Sequence, residues 1–264
     1  MKAPSLETGL FFASIRNLRH TNPRTIEGCR KSTFTAFARL RYNGCMITLA
    51  VLDYRMPARA ASSPDILETP FGPVAGRRTA GTITLAAATL PDPRAAAYAA
   101  RLAGAERVLA VILEPDLTQP TLPRDFIEFT DERPTTFFET VGTGYVQQQP
   151  PFCPEMTTAL GAAGARQGGN LLILDNLPAP DTRAWWRNQG VAAFTTHSQP
   201  EGALCRELEM CWATLLVPPN FDLSGWPGGV NLPSPRACAC GHAMQFARRA
   251  GKLPPDWRRW VIPR

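Results

Sequence analysis

Cys238-Ala239-Cys240-Gly241-His242 places three soft metal-ligand types within five residues, late in the chain. A closed zinc site wants four such groups, generally as two spaced pairs. The other cysteines, at 29, 45, 153, 205 and 211, contain no Cys-x-x-Cys to complete one. The tract therefore reads as core or surface thiols, and no metal is expected. Asp256-Trp257-Arg258-Arg259-Trp260 interleaves basic and aromatic side chains, a pattern able to stack on nucleic acid. A C-terminal segment docked through its tryptophans gives the same pattern and is the preferred reading. The chain has no Ser-His-Asp signature, no Walker loop and no dinucleotide fingerprint.

Such groups act only where a scaffold holds them. Residues 47–52, 108–113, 170–174 and 212–217 are apolar runs of strand length, as strands covered on both faces require. Residues 79–88 and 191–194 add further strands. Residues 93–103 read as an Ala-rich helix ended by Gly104. Residues 182–189 read as another, stopped by Gly190. Residues 200–210 read as a third, with Glu201 in its first turn, where the helix dipole favours an acid. Alternating strands and helices with short connections predict an α/β fold: a single domain with a mixed, mostly parallel central sheet flanked by helices.

The net charge of +6 suggests a polyanion partner until its distribution is read. Residues 1–45 hold eight of the 28 Lys and Arg but two of the 22 Asp and Glu, so the remainder is neutral. The charge belongs to a basic extension over 1–45, expected to be flexible. The domain is expected over 46–264, and Met46 is favoured as the natural start. The body has no basic field for nucleic acid. The seven cysteines are odd in number and irregularly spaced, which predicts free thiols in a reducing, cytoplasmic compartment. No apolar run reaches the roughly 18 residues of a membrane span.

Several blocks resemble one family. Residues 124–138 read RDFIEFTDERPTTFF and 150–156 read PPFCPEM. Residues 190–217 read GVAAFTTHSQPEGALCRELEMCWATLLV, and 68–72 read ETPFG. In order and approximate spacing these are similar to landmarks of the nucleoside phosphorylases, in particular the methylthioadenosine and methylthioinosine phosphorylases. The resemblance runs from Met46 to about Asp222. It implies phosphorolysis of an N-glycosidic bond, with phosphate as co-substrate, no other cofactor and a homotrimeric assembly.

Such chemistry needs a phosphate held by preorganised donors beside the sugar, support for an oxocarbenium-like state, and a proton or hydrogen bond for the leaving purine. By the resemblance, Asn220 at the end of the last strand faces the base, with Asp222 two residues on. An Asn there implies a 6-oxopurine, because its amide can donate to O6 and accept from a ring N–H. Pro218-Pro219-Asn220 also reads as an ordinary strand-ending turn. Thr196, His197 and Ser198 stand where the family contacts sugar and anion. Phe221 and Trp226 either meet the base or fill core.

The phosphate side departs from the family. The loop after the first strand reads LDYRMPA, without glycine, and leaves Arg55 as its cation. The loop after the second offers Arg94, later than the family's arginine. The loop after the third reads Glu114-Pro115-Asp116, two carboxylates that would repel an anion. Two alternatives follow. One is a catalytically impaired homologue acting as a binding or partner protein. The other is a phosphate-independent hydrolase using Glu114 or Asp116 as base.

Overall fold

The computed structural model describes residues 48–55, 65–79, 81–88, 90–131, 133–138, 146–223, 230–253 and 256–258. The expectations for residues 1–45, Met46, Trp226 and Trp260 lie outside the described residues.

Strands β1 (Leu49–Asp53), β4 (Thr82–Ala86), β5 (Arg107–Leu113) and β11 (Cys211–Val217) are the parallel centre of a sheet. Their registers align Leu49 with Thr82 and Arg107, and Arg107 with Cys211, at one edge. At the other edge Asp53 lies opposite Ala86 and Val111, and Leu113 opposite Val217. Antiparallel β3 (Val74–Thr79) and β2 (Asp65–Leu67) extend the sheet on one side. Short β6 (Thr121–Leu122) and β8 (Arg166–Gln167) extend it on the other, giving the order β2-β3-β4-β1-β5-β11-β6-β8. This is the mixed, mostly parallel sheet the sequence predicts. Strands β7 (Phe126–Phe129), β9 (Asn170–Leu174) and β10 (Val191–Thr195) leave it and form a second, parallel sheet in the order β10-β9-β7.

The central strands are apolar throughout because both faces are covered. Alternate residues serve opposite cores. Ala50, Leu52, Val108, Ala110, Trp212 and Leu216 pack with helices α1 (Pro93–Leu102) and α4 (Glu201–Glu207). Leu49, Val51, Leu109, Val111, Ala213 and Leu215 face α2 (Pro154–Ala162), through Met156 and Leu160. Helix α1 starts where Asp92 accepts the Arg94 N–H and Pro93 fills the first turn. Its alanines let it lie close on the sheet. Helix α3 (Pro180–Asn188) has no buried residue and covers β10 from outside. A 3₁₀ turn, Ala239–His242, leads into α5 (Gln245–Arg249). Trp257 is buried, its ring 5.9 Å from that of Phe138, as docking of the C-terminal segment requires.

The blocks that carry the family resemblance touch one another. The Cys153 N–H donates to the Trp212 carbonyl at 2.7 Å. Glu207 accepts from the Thr136 hydroxyl at 2.6 Å and the Phe137 N–H at 2.8 Å. In the ETPFG turn, Thr69 Oγ1 donates to the Gly72 carbonyl at 2.6 Å, and the Phe71 ring lies beneath the Arg94 guanidinium, 4.8 Å away.

Candidate active site

In a parallel sheet the loops leaving the carboxyl ends of the strands share one edge, where ligand sites form. Three such loops meet here at Tyr54 and Arg55, immediately after β1. Arg55 Nη1 donates to the Phe221 carbonyl at 2.9 Å, joining the loop after β11. Tyr54 stacks on His197, joining the segment after β10. Arg55, His197 and Phe221 therefore come together, and Thr196, Ser198, Asn220 and Asp222 are their chain neighbours.

Each group has definite partners. Arg55 holds the buried Asp53 carboxylate with Nε at 3.0 Å and Nη2 at 3.1 Å. Arg94 holds Asp92 in the same way, at 3.1 and 2.8 Å. Both arginines chosen for phosphate thus already carry a carboxylate. Ser198 is buried, with its Oγ 2.8 Å from Thr214 Oγ1, and has a left-handed φ of 88° that strains any residue with a Cβ. Asn220 sits in an exposed turn closed by the Phe221 N–H on the Pro218 carbonyl at 3.1 Å. Asp222 is exposed beside it, while the half-buried Phe221 packs against the α2-side core.

Glu201 is a member of this cluster that the residue types alone did not single out. It lies 4% exposed at the start of α4, and burial pushes its carboxyl above the usual range. Burial, then the nearby Glu201 charge, likewise pushes the Tyr54 phenol well up. Tyr54 Oη and Glu201 Oε2 are close but lack a well-aligned hydrogen bond. His197 is drawn down to about 4 by burial and by the Arg133 guanidinium. Its imidazole is therefore neutral near pH 7, a hydrogen-bonding group rather than a cation. Gly202 permits the close packing: a Cβ there would stand 2.5 Å from Gln199 Nε2 and 2.8 Å from Trp212 Nε1.

The carboxylates after β5 are committed elsewhere. Glu114 is 4% exposed and accepts from Arg187 Nη2 at 3.2 Å and the Phe194 N–H at 3.2 Å. Asp116 takes the same Arg187 nitrogen. Together they tie the end of β5 to α3 and β10. A cavity of about 410 Å³ nearby is lined by Arg124, Arg166 and Arg187, and one of about 250 Å³ by Glu155, Arg206, Cys238 and Cys240. Neither is lined by Arg55, Arg94, His197 or Asn220.

At the opposite edge of the sheet, spacing had concealed a cluster. Cys153, Cys211, Cys238 and Cys240 converge, all four Sγ atoms lying within 4.8 Å of one another. Cys153 is drawn down to about 2 by the thiol hydrogens of Cys211 and Cys240. Cys240 is pushed up to about 12, chiefly through its hydrogen bond to Cys153. The sequence reading considered only the nearby Cys-x-Cys-x-His tract. Cys153 and Cys211 join it through the fold, and His242 is not among the four.

No helix among the described residues is long and apolar enough to cross a membrane. No family model matches the chain. Relatives are found by direct sequence comparison. The S-methyl-5'-thioadenosine phosphorylase of Mycolicibacterium smegmatis is 31% identical over 190 residues, covering 62% of this chain and 71% of the relative. The purine nucleoside phosphorylase of Streptomyces coelicolor is 32% identical over 199 residues, covering 61% and 71%. A probable S-methyl-5'-thioinosine phosphorylase of Methanocaldococcus jannaschii is 32% identical over 141 residues, covering 48% and 56%. The fold matches that of apo methylthioadenosine phosphorylase from Schistosoma mansoni, with a TM-score of 0.55 at 15% identity, covering 65% of this chain and 81% of that one. It also matches a methylthioadenosine phosphorylase from an antarctic soil metagenomic library, with a TM-score of 0.51 at 19% identity, covering 81% and 83%. Shared sequence over most of the relatives' length, on the same α/β scaffold, means that this chain belongs to the nucleoside phosphorylase family.

Proposed function

We propose that the protein cleaves the N-glycosidic bond of a purine or 5'-methylthiopurine nucleoside by phosphorolysis, with inorganic phosphate as co-substrate. The observation that carries this reading is the meeting of the loops after β1, β10 and β11 at Tyr54–Arg55, through the Arg55–Phe221 hydrogen bond and the Tyr54–His197 stack. That edge is where a phosphorylase of this family must assemble its site. Asn220 supports the departing base and inclines the site toward 6-oxopurines such as hypoxanthine. Thr196, neutral His197, Ser198 and Phe221 line the nucleoside, Asp222 assists at the base, and Arg55 and Arg94 supply cations to phosphate. The working form is a cytoplasmic homotrimer.

The test is direct. The protein is incubated with inosine, 5'-methylthioinosine and 5'-methylthioadenosine, with and without phosphate, and free base is followed by chromatography. Release that requires phosphate and is fastest with the 6-oxopurines is expected. Release without phosphate would replace this reading by hydrolysis.

A second reading, a homologue that binds nucleoside without turning it over, is favoured by one observation. Asp53 and Asp92 already occupy the guanidinium groups of Arg55 and Arg94. A charge-assisted donor withheld from phosphate removes about 1.5–3 kcal/mol of binding. Thermal stabilisation by hypoxanthine with no base release under any condition would select it.

A further inference from the structure

We propose that Cys153, Cys211, Cys238 and Cys240 form a tetrathiolate site for one zinc ion at the amino-terminal edge of the central sheet. The four come from separate elements: the N-cap position of α2, the first residue of β11, and the segment entering the 3₁₀ turn. With Zn–S bonds of about 2.3 Å, tetrahedral sulfurs stand about 3.8 Å apart. The observed sulfurs all lie within 4.8 Å of one another, with Cys211 and Cys238 at 3.3 Å, and all four are free thiols. That spacing suits a single ion. A closed set of four soft ligands, with no oxygen or nitrogen donor among them, is the zinc-selective pattern of structural sites.

The surroundings meet the remaining requirements of a metal site. Four thiolates around a divalent ion leave surplus negative charge, and Arg236 Nη1 lies 3.8 Å from Cys211 Sγ. The same nitrogen donates to the Glu209 carbonyl at 3.0 Å, which fixes its position. Glu155, two residues after Cys153, accepts the Ala237 N–H at 2.6 Å and so holds the strand of chain bearing Cys238. The cavity of about 250 Å³ lined by Cys238 and Cys240 gives an ion a way in. Cys205 is also buried, within α4, but stands outside the four.

The position dictates the role. Cys211 begins β11, whose carboxyl end leads to Asn220, and a seven-residue strand spans about 20 Å. The ion therefore lies away from the nucleoside edge and acts as a clasp. It fastens the segment carrying Cys238 and Cys240 to α2 and to the start of β11. The assignment does not depend on the phosphorylase reading.

The full chain, produced with zinc in the medium and purified under reducing conditions, should carry about one zinc ion by elemental mass spectrometry. Titration with a mercurial should release the zinc in step with thiol modification. Cobalt in place of zinc should give thiolate charge-transfer absorption and tetrahedral d–d bands. Stripping the ion should lower the Tm by about 10 °C. Cys238→Ser and Cys240→Ser should each lose most of the zinc, whereas Cys205→Ser should keep it. The release and cobalt experiments use the unaltered chain, so they stand even where a ligand variant fails to fold. Folded protein that takes up neither zinc nor cobalt while all four thiols titrate overturns the site. So does mass spectrometry that finds the four joined as two disulfides after purification without reductant.

Discussion

The rings of Tyr54 and His197 lie face to face, with centroids 4.5 Å apart and planes 18° from parallel. One residue follows β1 of the central sheet and the other follows β10 of the second sheet. The contact welds the two sheets at the edge where the candidate site forms, and an imidazolium would weaken it.

Acid should loosen this weld. Unfolded, the imidazole protonates near its ordinary value of about 6.5. In the fold it does so only near 4. Between these values the unfolded chain binds a proton that the folded chain lacks. The stability carried by neutral His197 is therefore complete above about pH 6.5 and is lost as pH falls toward 4. Its size is at most about 3 kcal/mol, reduced by solvent around a half-buried ring. His197→Phe keeps the stack and removes the titration. Urea midpoints of the wild type should fall more steeply than those of the variant between pH 6.5 and 4; parallel curves would remove His197 from the account.

Arg55 and Asp53 should behave as a coupled pair. Asp53 is 1% exposed, so Arg55→Ala leaves a buried carboxylate without its counter-ion and should destabilise the fold by about 3 kcal/mol. Adding Asp53→Asn should restore about half of that. Equal urea midpoints for the single and double variants would show that the ion pair carries no coupling.

Asn220→Asp tests the base contact in solution. An aspartate accepts from a 6-amino group but cannot donate to O6, so the inosine-to-adenosine ratio of kcat/KM should fall by about tenfold or more. An unchanged ratio would place the purine elsewhere.

Two glycines should respond oppositely to alanine. Gly161 lies inside α2 with nothing within 4 Å of an added Cβ, so alanine should stabilise by about 0.5–1 kcal/mol through helix propensity. A Cβ on Gly169 would stand 2.3 Å from the Gly190 carbonyl oxygen, a backbone atom that cannot swing away. Alanine there should cost about 2 kcal/mol or more. Thermal melts of the two variants decide the matter, and a shift of the same sign in both would contradict it.

Much of the scaffold was legible because its strands are covered on both faces. The expected run at 170–174 coincides with β9, and the Ala-rich stretch ended by Gly104 with α1. What escaped notice was polar or short. β3 reads VAGRRT with its last residues outward, β7 is largely solvent-facing, and β6 and β8 are two residues each. Helix α2 escaped because PEMTTALGA shows little amphipathic periodicity. At the site, residue types pointed to His197, Ser198 and Arg55, but the carboxylates that engage the arginines become visible only once the chain folds. The thiol cluster was hidden for the same reason. No local spacing joins Cys153 to Cys211, and parallel register together with the entry to α2 brings them side by side.

Helix α4 has seven residues, too few to hold itself in isolation. At its head Arg133 reaches the Gln199 carbonyl at 3.4 Å, and at its foot Glu207 takes Thr136 and Phe137. The strip between Arg133 and Phe137 thus runs beside the helix as a splint bound at both ends. Lifting the helix means tearing the splint loose, so the Phe137 amide should exchange its hydrogen at the pace of the helix itself.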